Sequence, residues 1–588
     1  METIHHTYWL LGGAALLILA GIASSVIARR FGAPLLLVFL GLGMLAGADG
    51  PGGGVFNDVT TTYRIGSFAL ALILFDGGLR THRESFRGVF VPTLLLATLG
   101  VFITAALTGV VAFFLLGLDR VHALLVGAVV ASTDAAAVFF LLRAGGLQLR
   151  SRVNSTLEIE SSANDPVAVL LTTLLAEFLA TPHGVGGGAI ALELARQFGV
   201  GAIGGAIGGL AIATAMRKMP LSGGLAALFL IAAAIFVFGV VGALDGSAFL
   251  AVYVAGVVAG NRNLPGFPRL LSVLDAMTWL CQIVMFLVLG LLVTPHTLRD
   301  SLWPALGIAL FLMFVGRPLA VALCLAPFRY GKREIAFVAW VGLRGAVGIF
   351  LASIPLMMRL PHAAVIFNVA FIVVLVSLLV QGWTIGVAAR LFDVALPHRD
   401  LATQRVELDL PGSLEREMVG YPVAADAAVL RGSALPAWAQ LAMIVRNGQI
   451  LVADDAQGLA VGDYAYLLAP PGRVHRLDWL FAPADEARAA EREMFGEFTL
   501  DADVRLAEVA EFYGLPIRPR DAPLTLAEHF ARRFEHTIEV GDRVRLGAVT
   551  LVARELSDEG VRKVGLKVDA LGTVLARPRW LQRWLPRG

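Results

Sequence analysis

Between residues 8 and 389 the chain repeats one pattern: a long apolar run, then a short polar loop. A helix that crosses about 30 Å of hydrocarbon needs about 20 apolar residues. Thirteen such runs can be placed, at 8–28, 33–48, 65–79, 89–117, 121–142, 156–181, 193–215, 223–244, 247–261, 270–293, 303–326, 334–358 and 362–389, several of them short or interrupted by glycine. The first, Tyr8 to Ala28, has no basic segment before it and no small-residue cleavage site after it, so it reads as a retained helix. Beyond residue 400 the pattern changes. Asn447-Gly448 separates two strand-like runs, a two-residue hairpin signal, and Gly462-Asp463 precedes a third run, YAYLLA. A charged stretch from Asp485 to Arg492 reads as a linker. Residues 496–570 open with a helical pattern and close with two alternating strands joined by Asp558-Glu559-Gly560.

Charge sharpens this division. Residues 1–400 hold 18 acidic and 24 basic side chains, and residues 401–588 hold 27 and 23 in less than half the length. With 57% hydrophobic residues and a net charge of +2, the chain is neither a soluble protein throughout nor a nucleic-acid binder. With the N-terminus outside, fifteen arginines and lysines fall on the inner side of the thirteen runs and five on the outer. That bias fits the positive-inside rule and places the tail in the cytoplasm. The two cysteines, Cys281 and Cys324, lie in apolar runs and build no disulfide framework or metal site. The last residues, 576–588, are basic and contain Trp580 and Trp584, either a frayed end or a lipid-surface anchor.

Ionisable groups within hydrocarbon cost several kcal/mol, so each needs a reason to be there. The sixth run contains LEIESSANDPVAVLL. Helical spacing places Glu160 one turn from Asn164 and Ser161 one turn from Asp165. Pro166 lacks an N–H, which frees the carbonyl of Ser162. Carboxylate, hydroxyl, amide and carbonyl at one depth suit a dehydrated alkali cation, since hard cations select oxygen. The fifth run adds Thr133 and Asp134, and the twelfth adds Arg344 between Gly342, Gly345 and Gly348, which permit a broken helix. Counted from the inner ends at 1.5 Å per residue, Asp134, Asp165 and Arg344 all lie roughly 14 Å deep, near the midplane. An unpaired guanidinium there is prohibitive, so Arg344 is expected to pair with Glu160. Asp76 is a candidate ligand and equally a candidate interface residue; Arg317 needs a partner that the pattern does not name; Asp275 and Glu177 can line a cavity. Gly201, Gly204, Gly205, Gly208 and Gly209 read as a tight helix-packing face. No Walker, HExxH or GxSxG motif points to an ATP-driven pump or a hydrolase.

At TDAAA, ESSANDP and GLRGAV the chain resembles the monovalent cation:proton antiporter 1 family, in particular its potassium/proton antiporters of the cell-volume-regulation type. The resemblance covers residues 1–390. It implies an all-α polytopic membrane protein with the sodium/proton-antiporter fold: about thirteen transmembrane helices, inverted repeats, a dimerisation domain and a core in which two broken helices cross. It further implies Asp165 as the acid that binds cation or proton, with Asn164 beside it. Thr133, Asp134 and Ser161 become ligands or supports, and Glu160 and Arg344 a structural ion pair. Many relatives have proline after the Thr-Asp pair, where this chain has Ala135.

In the tail, residues 403–485 resemble the C-terminal half of the regulator-of-potassium-conductance module, without its nucleotide-binding half. Residues 496–575 resemble the transporter-associated domain of CorC/HlyC proteins. The expected organisation is therefore a transmembrane exchanger over 1–392, two α/β cytoplasmic domains over 403–485 and 496–575, and a basic tail over 576–588. The expected function is electroneutral export of potassium against protons across a bacterial inner membrane. No cofactor is expected beyond the transported ions. A homodimer and a small cytoplasmic ligand such as a nucleotide are the expected partners. Sodium/proton exchange by the same fold, a tail-gated potassium channel and a transporter-like sensor are the alternatives. The channel is disfavoured because the chain has no TVGYG-type filter.

Overall fold

A computed structural model describes residues 2–568 except 32–34, 51–57, 82–88, 145–146, 182–186, 220, 222–223, 263, 265–266, 398–405, 409–416, 426, 432–434, 437, 453–457, 470–473, 475–476, 484–491, 493–494, 497, 535–537, 539, 548 and 558–559. The basic tail at 576–588 and nearly all of the expected linker at 485–492 lie outside the described residues. The chain forms two units, residues 1–395 and 396–588.

The first unit is helical. Its helices are α1 (Glu2–Phe31), α2 (Leu35–Ala46), α3 (Val59–Arg80), α4 (Phe90–Ala97), α5 (Leu99–Leu116), α6 (Arg120–Val129), α7 (Ala135–Ala144), α8 (Ser151–Ala180), α9 (Gly187–Lys218), α10 (Gly224–Ala243), α11 (Ala248–Gly260), α12 (Phe267–Leu292), α13 (Pro295–Phe311), α14 (Arg317–Leu325), α15 (Lys332–Trp340), α16 (Ala346–Met357) and α17 (Ala363–Leu391). Every one of the thirteen apolar runs falls on this series, four of them on a pair of helices. Among the described residues, seven helical stretches are long and apolar enough by themselves to cross a membrane.

The interruptions have local causes. Between α4 and α5 the chain bends at Thr98, whose hydroxyl bonds back to the carbonyl of Leu94 (2.7 Å). Between α13 and α14 lies a π turn, Leu312–Gly316. Pro318 has no N–H for the carbonyl four residues earlier, so the ladder widens there. The glycines of α9 let backbones meet without a hydrophobic driving force. A Cβ on Gly205 would stand 2.8 Å from Ala251 Cα of α11, and one on Gly208 2.6 Å from Val237 Cγ2 of α10.

The second unit contains two antiparallel sheets. In the first, β1 (Val406–Leu408), β2 (Glu417–Pro422), β3 (Gln440–Arg446), β4 (Gln449–Val452) and β5 (Tyr464–Ala469) run in the order β1-β2-β5-β3-β4. Strands β3 and β4 form the expected hairpin, with Asn447 (φ 51°) and Gly448 (φ 78°) both left-handed as a type I′ turn requires. Asp463, 1% exposed, receives Arg446 Nε and Nη2, both at 2.8 Å, and the Ala460 N–H at 2.7 Å. The hydrogen-bonded guanidinium holds its carboxyl below the usual range. The second sheet, β6 (Phe498–Asp501), β7 (Arg543–Leu546), β8 (Val549–Ser557) and β9 (Gly560–Val568), runs β6-β9-β8-β7. It carries α18 (Leu506–Tyr513) and α19 (Leu526–Arg533), the latter opened by a Thr525/Glu528 capping box.

Gly205→Val should destabilise the helical unit by about 1–3 kcal/mol through overpacking against α11. Gly199, with open space around its Cα, supplies the control. Equal thermal midpoints in detergent for Gly205→Val and Gly199→Ala would contradict the backbone contact.

Candidate functional site

Two helices break and cross. Segment Ala131–Asp134 interrupts α6/α7, and segment Gly342–Gly345 interrupts α15/α16. They are joined main chain to main chain, Asp134 N–H donating to the carbonyl of Leu343 at 2.7 Å. A Cβ on Gly345 would stand 2.7 Å from that of Asp134, which is why the second break needs glycine at its end. The first break forms without proline at 135. Ser161 of α8 supplies what the ladder lacks: its hydroxyl accepts from Ala135 N–H and donates to the carbonyl of Thr133, both at 2.9 Å.

The pairing of charges corrects one expectation. Glu160, 1% exposed, is held by Arg317 and not by Arg344, with Nη1 and Nη2 each 2.8 Å from a carboxylate oxygen. Thr133 Oγ1 (3.3 Å) and Asn164 Nδ2 (3.2 Å) donate to the same carboxylate. Arg344 is buried as deeply, but its Nη1 donates to the carbonyls of Ala131 and Ser132, the latter at 2.7 Å. The physical reason is the break itself. A half-helix ending inside the protein presents orphan carbonyls and the negative end of its dipole, and Arg344 neutralises that end of α6.

Two further residues escaped sequence reasoning. Ser377 of α17 accepts the N–H of Arg344 (2.9 Å) and donates to Gln381, whose Nε2 donates to the carbonyl of Trp340 (2.7 Å). They brace the second break, and their signal was a polar pair one turn apart in an apolar helix.

A cavity of about 400 Å³ is lined by residues of α2, α3, α7, α8, α12 and α16. It brings together Asp76, Asp134, Ser161, Ser162 and Asp165. Most of these are already engaged. Asp134 accepts Ala137 N–H (3.2 Å) and so caps α7. Asp76 pairs with Arg80 (3.0 Å) and accepts from Thr278 (3.3 Å). Ser162 donates to the carbonyl of Glu158 (2.8 Å). Asn164 gives Nδ2 to Thr133 (2.6 Å) and Glu160, while its Oδ1 has no hydrogen-bond partner. Asp165 is buried, and its Oδ1 likewise has none. A buried carboxylate at a cavity lined by other oxygen-bearing side chains can take either a proton or an oxygen-seeking cation.

Residues 14–391 match the sodium/hydrogen exchanger transmembrane family. The chain belongs to that family. Residues 491–570 match a second one, the transporter associated domain. Among curated relatives, the K(+)/H(+) antiporter NhaP of Alkalimonas amylolytica is 41% identical over 574 residues, 96% of this chain and 99% of that one. The K(+)/H(+) antiporter NhaP2 of Shewanella oneidensis is 40% identical over 571 residues, again 96% and 99%. The Na(+)/H(+) antiporter NhaP of Pseudomonas aeruginosa is 30% identical over 365 residues, 57% of this chain and 81% of that one. Among solved structures, the sodium proton antiporter MjNhaP1 of Methanocaldococcus jannaschii at pH 8 has a TM-score of 0.56 at 22% identity, covering 65% of this chain and all of that one. That likeness is one of fold: the exchanger fold carries the crossed breaks seen here, and an α/β unit follows it.

Removing one partner of a buried pair costs about 3–5 kcal/mol, because the other charge is left uncompensated. Glu160→Ala and Arg317→Ala should each lower the thermal midpoint by a corresponding amount. In the double variant the two costs should not add, whereas Arg344→Ala on the Glu160→Ala background should add its own. Additivity between Glu160 and Arg317 would refute the pairing.

Proposed function

We propose that the protein is a secondary antiporter that exports cytoplasmic potassium in exchange for external protons, with Asp165 as the shared site. The carrying observation is the unpartnered, buried Oδ1 of Asp165 at the cavity, where nearly every neighbouring polar group is already committed. A carboxylate that holds a cation or a proton, never both, couples the two fluxes by competition. The block of crossed helices then presents that site to each side in turn. Arg80, in the last turn of α3, also lines the cavity. The positive-inside bias puts that end of α3 in the cytoplasm, so we read the cavity as facing inward. Near full-length relatives named as potassium/proton antiporters support the choice of potassium. The relative named as a sodium/proton antiporter keeps sodium as the second reading, since both ions use the same oxygen ligands.

In this reading thirteen spans cross a bacterial inner membrane with the N-terminus outside, and the exchanger works as a homodimer. Residues 403–485 act as a regulator-of-potassium-conductance-like module beside the transporter-associated domain. A small cytoplasmic ligand, a nucleotide being one such class, biases transport by binding one tail conformation better than another.

Asp165→Asn keeps the shape and loses the alternation of charge. In proteoliposomes loaded with potassium it should exchange at under a tenth of the wild-type rate while folding and inserting normally. A higher residual rate would remove Asp165 as carrier, and the same assay with sodium and rubidium ranks the ions. A chain ending near Asp400 should still exchange but respond differently to internal pH. Identical rates at every internal pH would make the tail a structural appendage.

A further inference from the structure

The cavity that Asp165 lines holds a carboxylate that the exchange cycle leaves out. Asp76 is buried, 5% exposed, and lines the same cavity. In a low-dielectric site a carboxylate without a partner takes up a proton in preference to staying charged, and an arriving cation can displace that proton. Asp76 is therefore chemically equivalent to the carrier except in its company. Arg80 Nε lies 3.0 Å from its Oδ1, and Thr278 donates to its Oδ2 at 3.3 Å. Arg80 is anchored in turn by Asp275 of α12, with Nη2 2.6 Å from Oδ1. The ionisable groups lining the cavity around Asp76 are Arg80 on its own helix, Asp275 on α12, Glu158 and Asp165 on α8 and Asp134 on α7. Among the described residues lining the cavity, Arg80 is the one base.

We infer that Arg80 determines the stoichiometry of exchange: it fixes Asp76 as a permanent anion, so Asp165 alone trades a proton for a cation and the cycle moves no net charge. Asp134 is kept out of the trade by its role as the cap of α7. Two carboxylates and one guanidinium leave the Asp76–Arg80–Asp275 group at a net charge of −1, which draws cations to the cavity without itself titrating. Without the guanidinium, Asp76 becomes a second site of the Asp165 kind, two protons leave for each cation, and the cycle turns electrogenic. The inference rests on the reading of Asp165 as carrier.

The test uses the full-length protein in proteoliposomes at a fixed pH gradient, reading the steady-state potassium ratio with and without an imposed membrane potential. Wild type and Arg80→Lys should show no shift. Arg80→Gln should shift the ratio about tenfold for each 59 mV or so imposed, and Arg80→Gln/Asp76→Asn should lose that shift again. Arg80→Gln exchange that ignores the potential overturns the inference, as does a wild type that follows it. Neither result bears on the carrier, whose failure shows instead as exchange by Asp165→Asn. Where Arg80→Gln folds but does not turn over, protons released on potassium binding are counted in detergent. One per cation is expected for wild type and two for the variant, and a count of one in both overturns the assignment. Arg80→Met, which keeps most of the side-chain stem, replaces Arg80→Gln if the latter does not fold.

Discussion

Backbone groups in hydrocarbon have no water to turn to, so any unwound segment within a membrane must find its hydrogen bonds inside the protein. The site depends on that constraint. Two helices break at one level, and each break is repaired by the other or by a neighbour: Asp134 N–H by Leu343, Ala135 N–H by Ser161, Arg344 N–H by Ser377. The repairs bring four chain segments together at one point. Once they are in place, the side chains between them have little freedom, and a carboxylate can be held beside the cavity without a charged partner, one of its oxygens left unbonded.

The charges follow the same logic. Two buried arginines lie near the crossing, and each neutralises something other than Asp165. Arg317 is committed to Glu160, and Arg344 to the carbonyl end of α6. Had either guanidinium reached Asp165, that acid would be a fixed anion. The fold thus separates an acid held by an arginine from one that is not, although Glu160 and Asp165 are only five residues apart on one helix.

Much of this was legible in the sequence. Apolar runs located the helices, Gly342 and Gly345 marked the second break, and the mid-span acids Asp134 and Asp165 prove to line one cavity. Depth along a helix can be counted, which put Asp134, Asp165 and Arg344 at one level. What cannot be counted is direction around the axis or which helix stands next to which. Arg344 and Arg317 both lay mid-span, and which of them meets Glu160 turned on neighbours that only the folded chain supplies. The break forms without proline at 135 for a related reason: unwinding depends less on the residue that starts it than on Ser161, 26 positions away, which receives the freed N–H.

The π turn before α14 sets a condition on how this lineage can vary. A helix turns about 100° per residue, and the widened turn absorbs one residue between Leu312 and Gly316. Arg317 faces Glu160 in that phase. A single inserted or deleted codon in this stretch would swing the guanidinium about a quarter-turn away while leaving the hydrophobic profile of the segment almost unchanged. Chains descended from a common ancestor are therefore expected to vary freely in residue type on the outward face here, and to keep the residue count from the π turn to the arginine fixed.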